Sequence, residues 1–370
     1  MCFLLQSNMT GIYFRFIQFS LGIYDGKEFL DGSALRDFDW AAFYEFAKKQ
    51  TLVGIIFNGI QMLPKNVAPK LDMLMRWFGM SRKIKMRNDL LNKATVAIYD
   101  KVKAAGYSCC ILKGQCNAVM YPNPSARIPG DVDVWVNASR ENIRTLASSL
   151  AKDGNGHVDD ESFNHIGLTI KGIAVELHST PCFMANFIYN RRLQKWLKRN
   201  VSLQCSNMVE LPNDAGTVAV PTLSFNIFYQ LHHLYHHYFY EGVGLRQIVD
   251  YYFVIMKSEE RSMKNITALH HDIKHLGLWN FAGAMMYVLH QVMGLTKDKM
   301  IAPMDVTRGR ILLDDILNGG NFGHYDKHRA WGHNILRLYR DARLLRFYPI
   351  EAFSEPVFRV WHWWWRKNKL

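Results

Sequence analysis

Apolar positions recur at helical spacing through the first hundred residues. In Trp40–Gln50 they fall at Trp40, Phe43, Phe46 and Ala47, with Asp39 placed to cap the helix. Thr51–Leu63 reads as a second, buried helix closed by Pro64, and Val67–Phe78 as a third. A further helix is expected over Asp89–Ala105, ended by Gly106 at a C′ position. The period then changes. Ser108–Leu112 and Val132–Val136 are short apolar runs of strand type, with a helical stretch before Tyr121 and another over Ser139–Ala151, where Ser139 is the N-cap. His165–Ile170 and Ile173–Leu177 alternate on either side of Lys171-Gly172, and a two-residue loop with glycine signals a hairpin. Helical periodicity returns over Leu223–Met256, Met263–Leu276, Asn280–Met293, Arg310–Leu317 and Ala330–Arg346. The pattern predicts an α+β protein: a helical region over 1–88, a core with a small sheet over 89–210, and a helical domain over 211–370. No fixed-period repeat and no Pro/Ser-rich linker interrupts it, so the blocks are expected to pack closely.

Composition narrows the class. The 370 residues are 49% hydrophobic and 13% aromatic, which excludes a disordered chain. Lys and Arg (45) exceed Asp and Glu (32), for a net charge of +13. That excess fits an anionic partner or an ordinary basic surface, and charge alone does not choose. The basic run Met80–Arg87 carries the same ambiguity between steering an anion and forming a solvated helix face. Six cysteines without a CxxC pair read as buried thiols in a reducing cytosol. The apolar stretches Gly11–Ile23 and Phe281–Leu295 fall short of the roughly 20 residues a span needs, so no transmembrane helix is expected.

The chemistry concentrates in Gly130-Asp131-Val132-Asp133-Val134-Trp135-Val136. On a strand, Asp131 and Asp133 point to one face while Val132 and Val134 enter the core. Two adjacent carboxylates need a compensating cation, and Mg²⁺ takes such oxygen ligands together with substrate phosphates. A solvated edge strand is the alternative. Three neighbours favour the metal. Lys113-Gly114 ends a strand before a helix, where phosphate can approach the backbone. Arg127 lies four residues before Asp131 and offers a guanidinium for a polyphosphate. Glu176 lies on the predicted hairpin with His178 on the same face, so a hairpin beside the Asp strand completes a carboxylate triad suited to two-metal phosphoryl or nucleotidyl transfer.

With these motifs the chain resembles the polymerase-beta-like nucleotidyltransferases, whose signature is a strand-ending glycine, an Asp-x-Asp pair and a third acid on a later strand. The order LKG, YPNPSAR, GDVDVWV, VELH, HHLYHH and GLRQIVD is similar, more narrowly, to the uncharacterised bacterial nucleotidyltransferases, and most of the chain takes part. The first motif departs: Lys113-Gly114-Gln115 stands where the superfamily usually has Gly-Ser or Gly-Gly. The resemblance implies a core with a small mixed sheet and an enzyme moving a nucleoside monophosphate from an NTP, ATP among them, to a hydroxyl or phosphate acceptor. It implies Asp131, Asp133 and Glu176 as the catalytic, metal-binding acids for Mg²⁺ (Mn²⁺ as substitute). Glu176 is also the expected acceptor of the hydroxyl proton. Lys113, Gly114, Arg127, Gly130, His178, His232, His236 and Arg246 are the expected nucleotide-binding set. The acceptor, whether small molecule, sugar, protein or RNA, is left open. A non-catalytic nucleotide-binding relative and a toxin-like transferase acting on RNA are the rival readings.

Three further features remain at this level. His232, His233, His236 and His237 pair at i, i+4, which fits a zinc site, a cleft lining or plain packing; no HExxH pattern accompanies them. Arg246 and Asp250, also i, i+4, are expected to form an internal ion pair. The tail VWHWWWRKNKL fits a helix docked on the core or a contact with a membrane surface, which makes the expected location cytoplasmic with a membrane-peripheral alternative.

Overall fold

The computed structural model describes residues 2–258, 263–320 and 345–369. The N-terminal helices are α1 (Cys2–Ser20), α2 (Lys27–Leu30), α3 (Trp40–Lys49), α4 (Val53–Met62) and α5 (Leu71–Ala104). Phe16, Ile17, Phe43, Ile55 and Ile56 are fully buried between them. Asp39 caps α3 by accepting the amides of Ala41 and Ala42. The three segments expected between residues 67 and 105 merge into the 34-residue α5. Its buried stripe explains the continuity: Trp77, Ile84, Leu91 and Ile98 recur every seven residues, flanked by Asn88, Thr95 and Val102. Arg82, Lys83 and Lys85 lie on its exposed side, as a solvated helix face.

The sheet comprises β1 (Cys109–Ile111), β2 (Val132–Val136), β3 (His157–Glu161), β4 (His165–Ile170) and β5 (Ile173–His178), in the spatial order β1-β2-β5-β4-β3. It is mixed: β2 and β5 run parallel, and the other pairs antiparallel. Lys171 and Gly172 both adopt positive φ (50° and 73°), which gives the β4–β5 hairpin the twist of a primed turn. Between the strands lie the short α6 (Gln115–Ala118) and α7 (Arg140–Asp153). Ser139 caps α7, and α7 packs on β3, β4 and β5. The pattern of apolar positions does not predict the edge strand β3, because its sequence HVDDE lacks apolar alternation; its pairing with β4 slips between Val158 and Glu161.

The chain continues through α8 (Phe187–Gln204), a two-stranded β6 (Met208–Leu211) and β7 (Gly216–Ala219), then α9 (Leu223–Tyr240), α10 (Leu245–Lys257), α11 (Met263–His275), α12 (Trp279–Met293) and α13 (Val306–Gly319). A last helix spans Pro349–Lys369. The β6–β7 pair departs from the all-helical reading of this half. The expected helix Leu223–Met256 breaks into α9 and α10, where Gly242 takes φ 120°. Residues 330–344 of the expected Ala330–Arg346 helix lie outside the described residues. Gln50, fully buried, ties the blocks together: its side chain accepts from the Leu245 amide at the start of α10 and donates to the Ile316 carbonyl in α13. Among the described residues no helix is long and apolar enough to cross a membrane, and Cys109, Cys110, Cys116, Cys182 and Cys205 are free thiols.

Candidate active site

Strand alternation places the acids. Val132, Val134 and Val136 enter the core, while Asp131, Asp133 and Trp135 share the opposite side. The parallel register sets Asp133 beside Glu176 and Trp135 beside His178. One ligand atom from each of Asp131, Asp133 and Glu176 lies within 4.8 Å of the others. This juxtaposition follows from pairing β2 with β5, which the hairpin hypothesis required. Trp135 organises the same face further, since its ring stacks on Phe225 of α9 (centroids 5.8 Å). The following turns of α9 carry Tyr229, Gln230 and histidines that line the same cleft as Asp131 and Glu176.

Two cations lie among the acids. Lys113 Nζ is 3.1 Å from Asp133 Oδ1. His178 Nε2 is 3.0 Å from Asp133 Oδ1 and 3.2 Å from Glu176 Oε2. Burial alone lowers the Lys113 pKa, but Asp133 and Asp131 outweigh it and hold the ammonium well above its ordinary value. Burial likewise opposes the charged His178, yet its hydrogen bonds to Asp133 and Glu176 carry its pKa to about 9. Glu176 is pushed up by burial and pulled further down by His178, to about 2. Asp133 is 1% exposed, and its Oδ2 has no hydrogen-bond partner. A buried carboxylate oxygen without a donor is open to serve as a cation ligand. Gly114 supports the approach from below: it adopts φ 66°, and a Cβ there would come within 3.4 Å of the Asp131 carbonyl.

A cleft of about 440 Å³ opens over this centre. Lys113, Gly114, Gly130, Asp131, Glu176 and His178 form one end. All four histidines of α9 line it, with Arg246 and Asp250 of α10 beyond them. His232 Nε2 lies 3.0 Å from the Phe183 carbonyl, and His237 Nδ1 is 2.8 Å from Glu241. Burial lowers His232 to about 4 and His236 to about 3, so both are neutral imidazoles at neutral pH. The four do not form a metal-binding group with a third ligand among the described residues.

Arg127 reaches the cleft, but its guanidinium is committed to a bidentate pair with Asp250: Nε to Oδ1 and Nη2 to Oδ2, both 2.7 Å. Tyr121 donates to the same carboxylate at 2.5 Å. Asp250 therefore pairs with Arg127, and the expected Arg246–Asp250 bridge is replaced by a bond from Arg246 Nη1 to the Ile128 carbonyl (2.8 Å). Spacing within one helix suggested the wrong partner, because the competing arginine comes from a loop 123 residues away.

A family model described as uncharacterised nucleotidyltransferase matches residues 36–294, more than two thirds of the chain. The chain belongs to this nucleotidyltransferase family. No curated protein matches it. Among solved structures it is similar to an antigenic nucleotidyltransferase-like protein from Paracoccidioides brasiliensis, at 18% identity and a TM-score of 0.32, over 50% of this chain and 88% of that one. The family segment holds every acid of the triad, Lys113 and the α9 histidines. It does not reach the last helix, whose Phe358 and His362 also line the cleft of this nucleotidyltransferase family member. Phe358 stacks on Phe183, and Trp361 and Trp365 pack edge-on against Phe163. Trp363 and Trp364 are exposed. Sequence reasoning singles out neither Phe163, Phe183, Phe358 nor His165 as cleft residues. Only His165 carries a signal, as the cross-strand partner of His178 in the hairpin register.

Proposed function

We propose that this protein transfers a nucleoside monophosphate from an NTP to a hydroxyl or phosphate acceptor, with release of pyrophosphate. The observation that carries the reading is the register of β2 on β5. It gathers Asp131, Asp133 and Glu176 within 4.8 Å at one end of a cleft of about 440 Å³. The arrangement supports membership of the polymerase-beta-like superfamily. The donor set, three carboxylates with the buried Asp133 Oδ2 unpaired, fits Mg²⁺ or Mn²⁺ held by Asp131, Asp133 and Glu176. When bound, such ions neutralise the triphosphate and make its α-phosphorus more electrophilic.

The chain's own residues then have distinct tasks. Lys113 places its ammonium beside Asp133, at the end of the cleft where the phosphates bind. His178 donates to Asp133 or Glu176 and fixes the orientation of both carboxylates. Glu176 accepts the proton of the acceptor hydroxyl as its oxygen attacks the α-phosphorus. The new oxygen–phosphorus bond forms as the bond to the bridging oxygen breaks, and pyrophosphate leaves with that electron pair. The neutral imidazoles of His232 and His236, with Arg246, face the remaining space and position the base or the acceptor. Positioning and charge neutralisation account for most of the rate in such transfers.

The test is incubation of the full chain with each labelled NTP, Mg²⁺ or Mn²⁺, and acceptors that include total tRNA, sugars and the protein itself. Pyrophosphate release that disappears in Asp131→Ala and Asp133→Ala is the expected result. Nucleotide binding without turnover under every condition would replace it with the non-catalytic relative, and label entering tRNA would make the acceptor RNA.

A further inference from the structure

The carboxylate triad has a second set of donors beside it, and they are nitrogens. β4 and β5 pair antiparallel with His165 opposite His178 and Gly167 opposite Glu176. Residues 176 and 178 share one face of β5, so Glu176, His178 and the cross-strand His165 converge. Gly167 adds no side chain over Glu176. His165 Nε2 is 3.7 Å from Glu176 Oε1, and His178 Nε2 is 3.2 Å from Glu176 Oε2. One ligand atom of each lies within 4.8 Å of the other two. Ser162 Oγ is 3.4 Å from His165 Nδ1, which leaves Nε2 as the nitrogen facing the glutamate. His178 Nε2 donates to Asp133 and Glu176 in the absence of an ion and must release that proton to become a ligand. All three residues line the cleft.

We propose that Glu176, His165 and His178 form a second cation position, sharing Glu176 with the aspartate position, and that it takes a nitrogen-accepting transition dication of the Zn²⁺, Fe²⁺ or Co²⁺ class in preference to Mg²⁺. This deepens the proposed function and rests on it for the presence of a divalent ion at the site. The physical reason is ligand type. Mg²⁺ is hard, prefers oxygen and keeps its waters, whereas imidazole nitrogens favour the later first-row dications. Two imidazoles and one carboxylate on one face leave coordination positions open toward the cleft. The aspartate position, built from Asp131 and Asp133, remains an all-oxygen site for the ion that accompanies a triphosphate.

The experiment uses the full wild-type chain, His165→Ala and Asp131→Ala, with Co²⁺ alone and Mg²⁺ alone as probes. Calorimetry reads affinity, and proton NMR of the Co²⁺-loaded protein reads the paramagnetically shifted, exchangeable imidazole N–H signals. Two such signals are expected in the wild type and one in His165→Ala. Co²⁺ affinity should fall about tenfold in His165→Ala while Mg²⁺ affinity stays within about twofold. Asp131→Ala should retain both shifted signals. Co²⁺ bound to the wild type with no shifted imidazole signal overturns the nitrogen site while leaving the carboxylate centre intact. Equal loss of Co²⁺ and Mg²⁺ affinity in His165→Ala also overturns it. Failure of the folded wild type to bind any divalent cation overturns the proposed transferase chemistry, and this site with it. The wild-type spectrum decides even if a variant does not fold.

Discussion

Arg127 offers the sharpest choice between a structural and a ligand-binding role. The residue is 3% exposed and spends its guanidinium Nε and Nη2 on Asp250, itself 3% exposed. Burial opposes both charges, but the pair holds the Asp250 carboxyl below its ordinary pKa, and Arg246 stands close enough to add to that effect. Replacing Asp250 by Leu therefore leaves one guanidinium without its counter-charge and a second one nearby. Removing one partner of a buried pair costs about 3–5 kcal/mol, and Arg127→Leu should fall in the same range. The double variant removes both charges at once and should cost far less than the two singles together, with a coupling of up to about 3 kcal/mol. Urea denaturation of the four proteins measures the cycle. If Arg127→Leu shifts stability by less than about 1 kcal/mol and instead weakens nucleotide binding selectively, the guanidinium is a phosphate ligand and the reasoning fails.

Asp133→Asn keeps the shape of the side chain but removes the charge at the centre of the triad. Pyrophosphate release should fall about 100-fold or more with the fold retained, and an active variant would remove this residue from the chemistry. His232, buried, and His236, half-buried, titrate below their unfolded value near 6.5. Their contribution is fully present above pH 6.5 and is lost as pH falls toward about 4 for His232 and about 3 for His236. Over that window each ring costs up to about 1.4 kcal/mol of stability for every pH unit of acidification. Thermal melts should therefore weaken from pH 7 to pH 4, less steeply in His236→Phe; an identical slope in that variant would be the refuting result. The last helix exposes Ile350, Phe353, Val357, Val360 and Trp364 at three- and four-residue spacing, with Lys367 over Trp363. Flotation on anionic vesicles should recover the wild type and lose Val360→Asp with Trp364→Asp; equal recovery in the soluble fraction refutes a surface contact.

The parts of this molecule that could be read from one dimension are those that one element determines. Val132–Val136 and the Lys171-Gly172 hairpin place Asp133, Glu176 and His178 by alternation alone, and the structure adds only the parallel pairing that joins them. Asp39 and Ser139 identify their helices because a cap is a local bond. What stayed hidden depends on contacts distant in sequence. The partner of Asp250 is an arginine in a loop far upstream, and helix spacing favoured Arg246. The strand β3 exists because β4 offers an edge, although HVDDE has little strand character of its own. Nothing in VWHWWWRKNKL says that Trp361 and Trp365 will meet Phe163 while Trp363 and Trp364 face solvent.

The net charge of +13 suggested an anionic partner, but the cleft itself is not a basic groove. Its lining brings Lys113, Arg127, Arg246 and the charged His178 against Asp131, Glu176, Glu241 and Asp250, with Asp133 just beneath the surface. The cations are also largely occupied: Lys113 with Asp133, His178 with Asp133 and Glu176, Arg127 with Asp250, and Arg246 with the Ile128 carbonyl. A triphosphate entering this space meets at least as much negative charge as positive. The side chains alone do not neutralise it, so the proposed function requires divalent ions on the carboxylates to balance its charge and leaves the general basic surface to raise the encounter rate. Nucleotide affinity should then depend on the divalent ion far more than on monovalent salt. A basic groove would behave in the opposite way, losing affinity steeply as salt rises and binding the nucleotide without any metal.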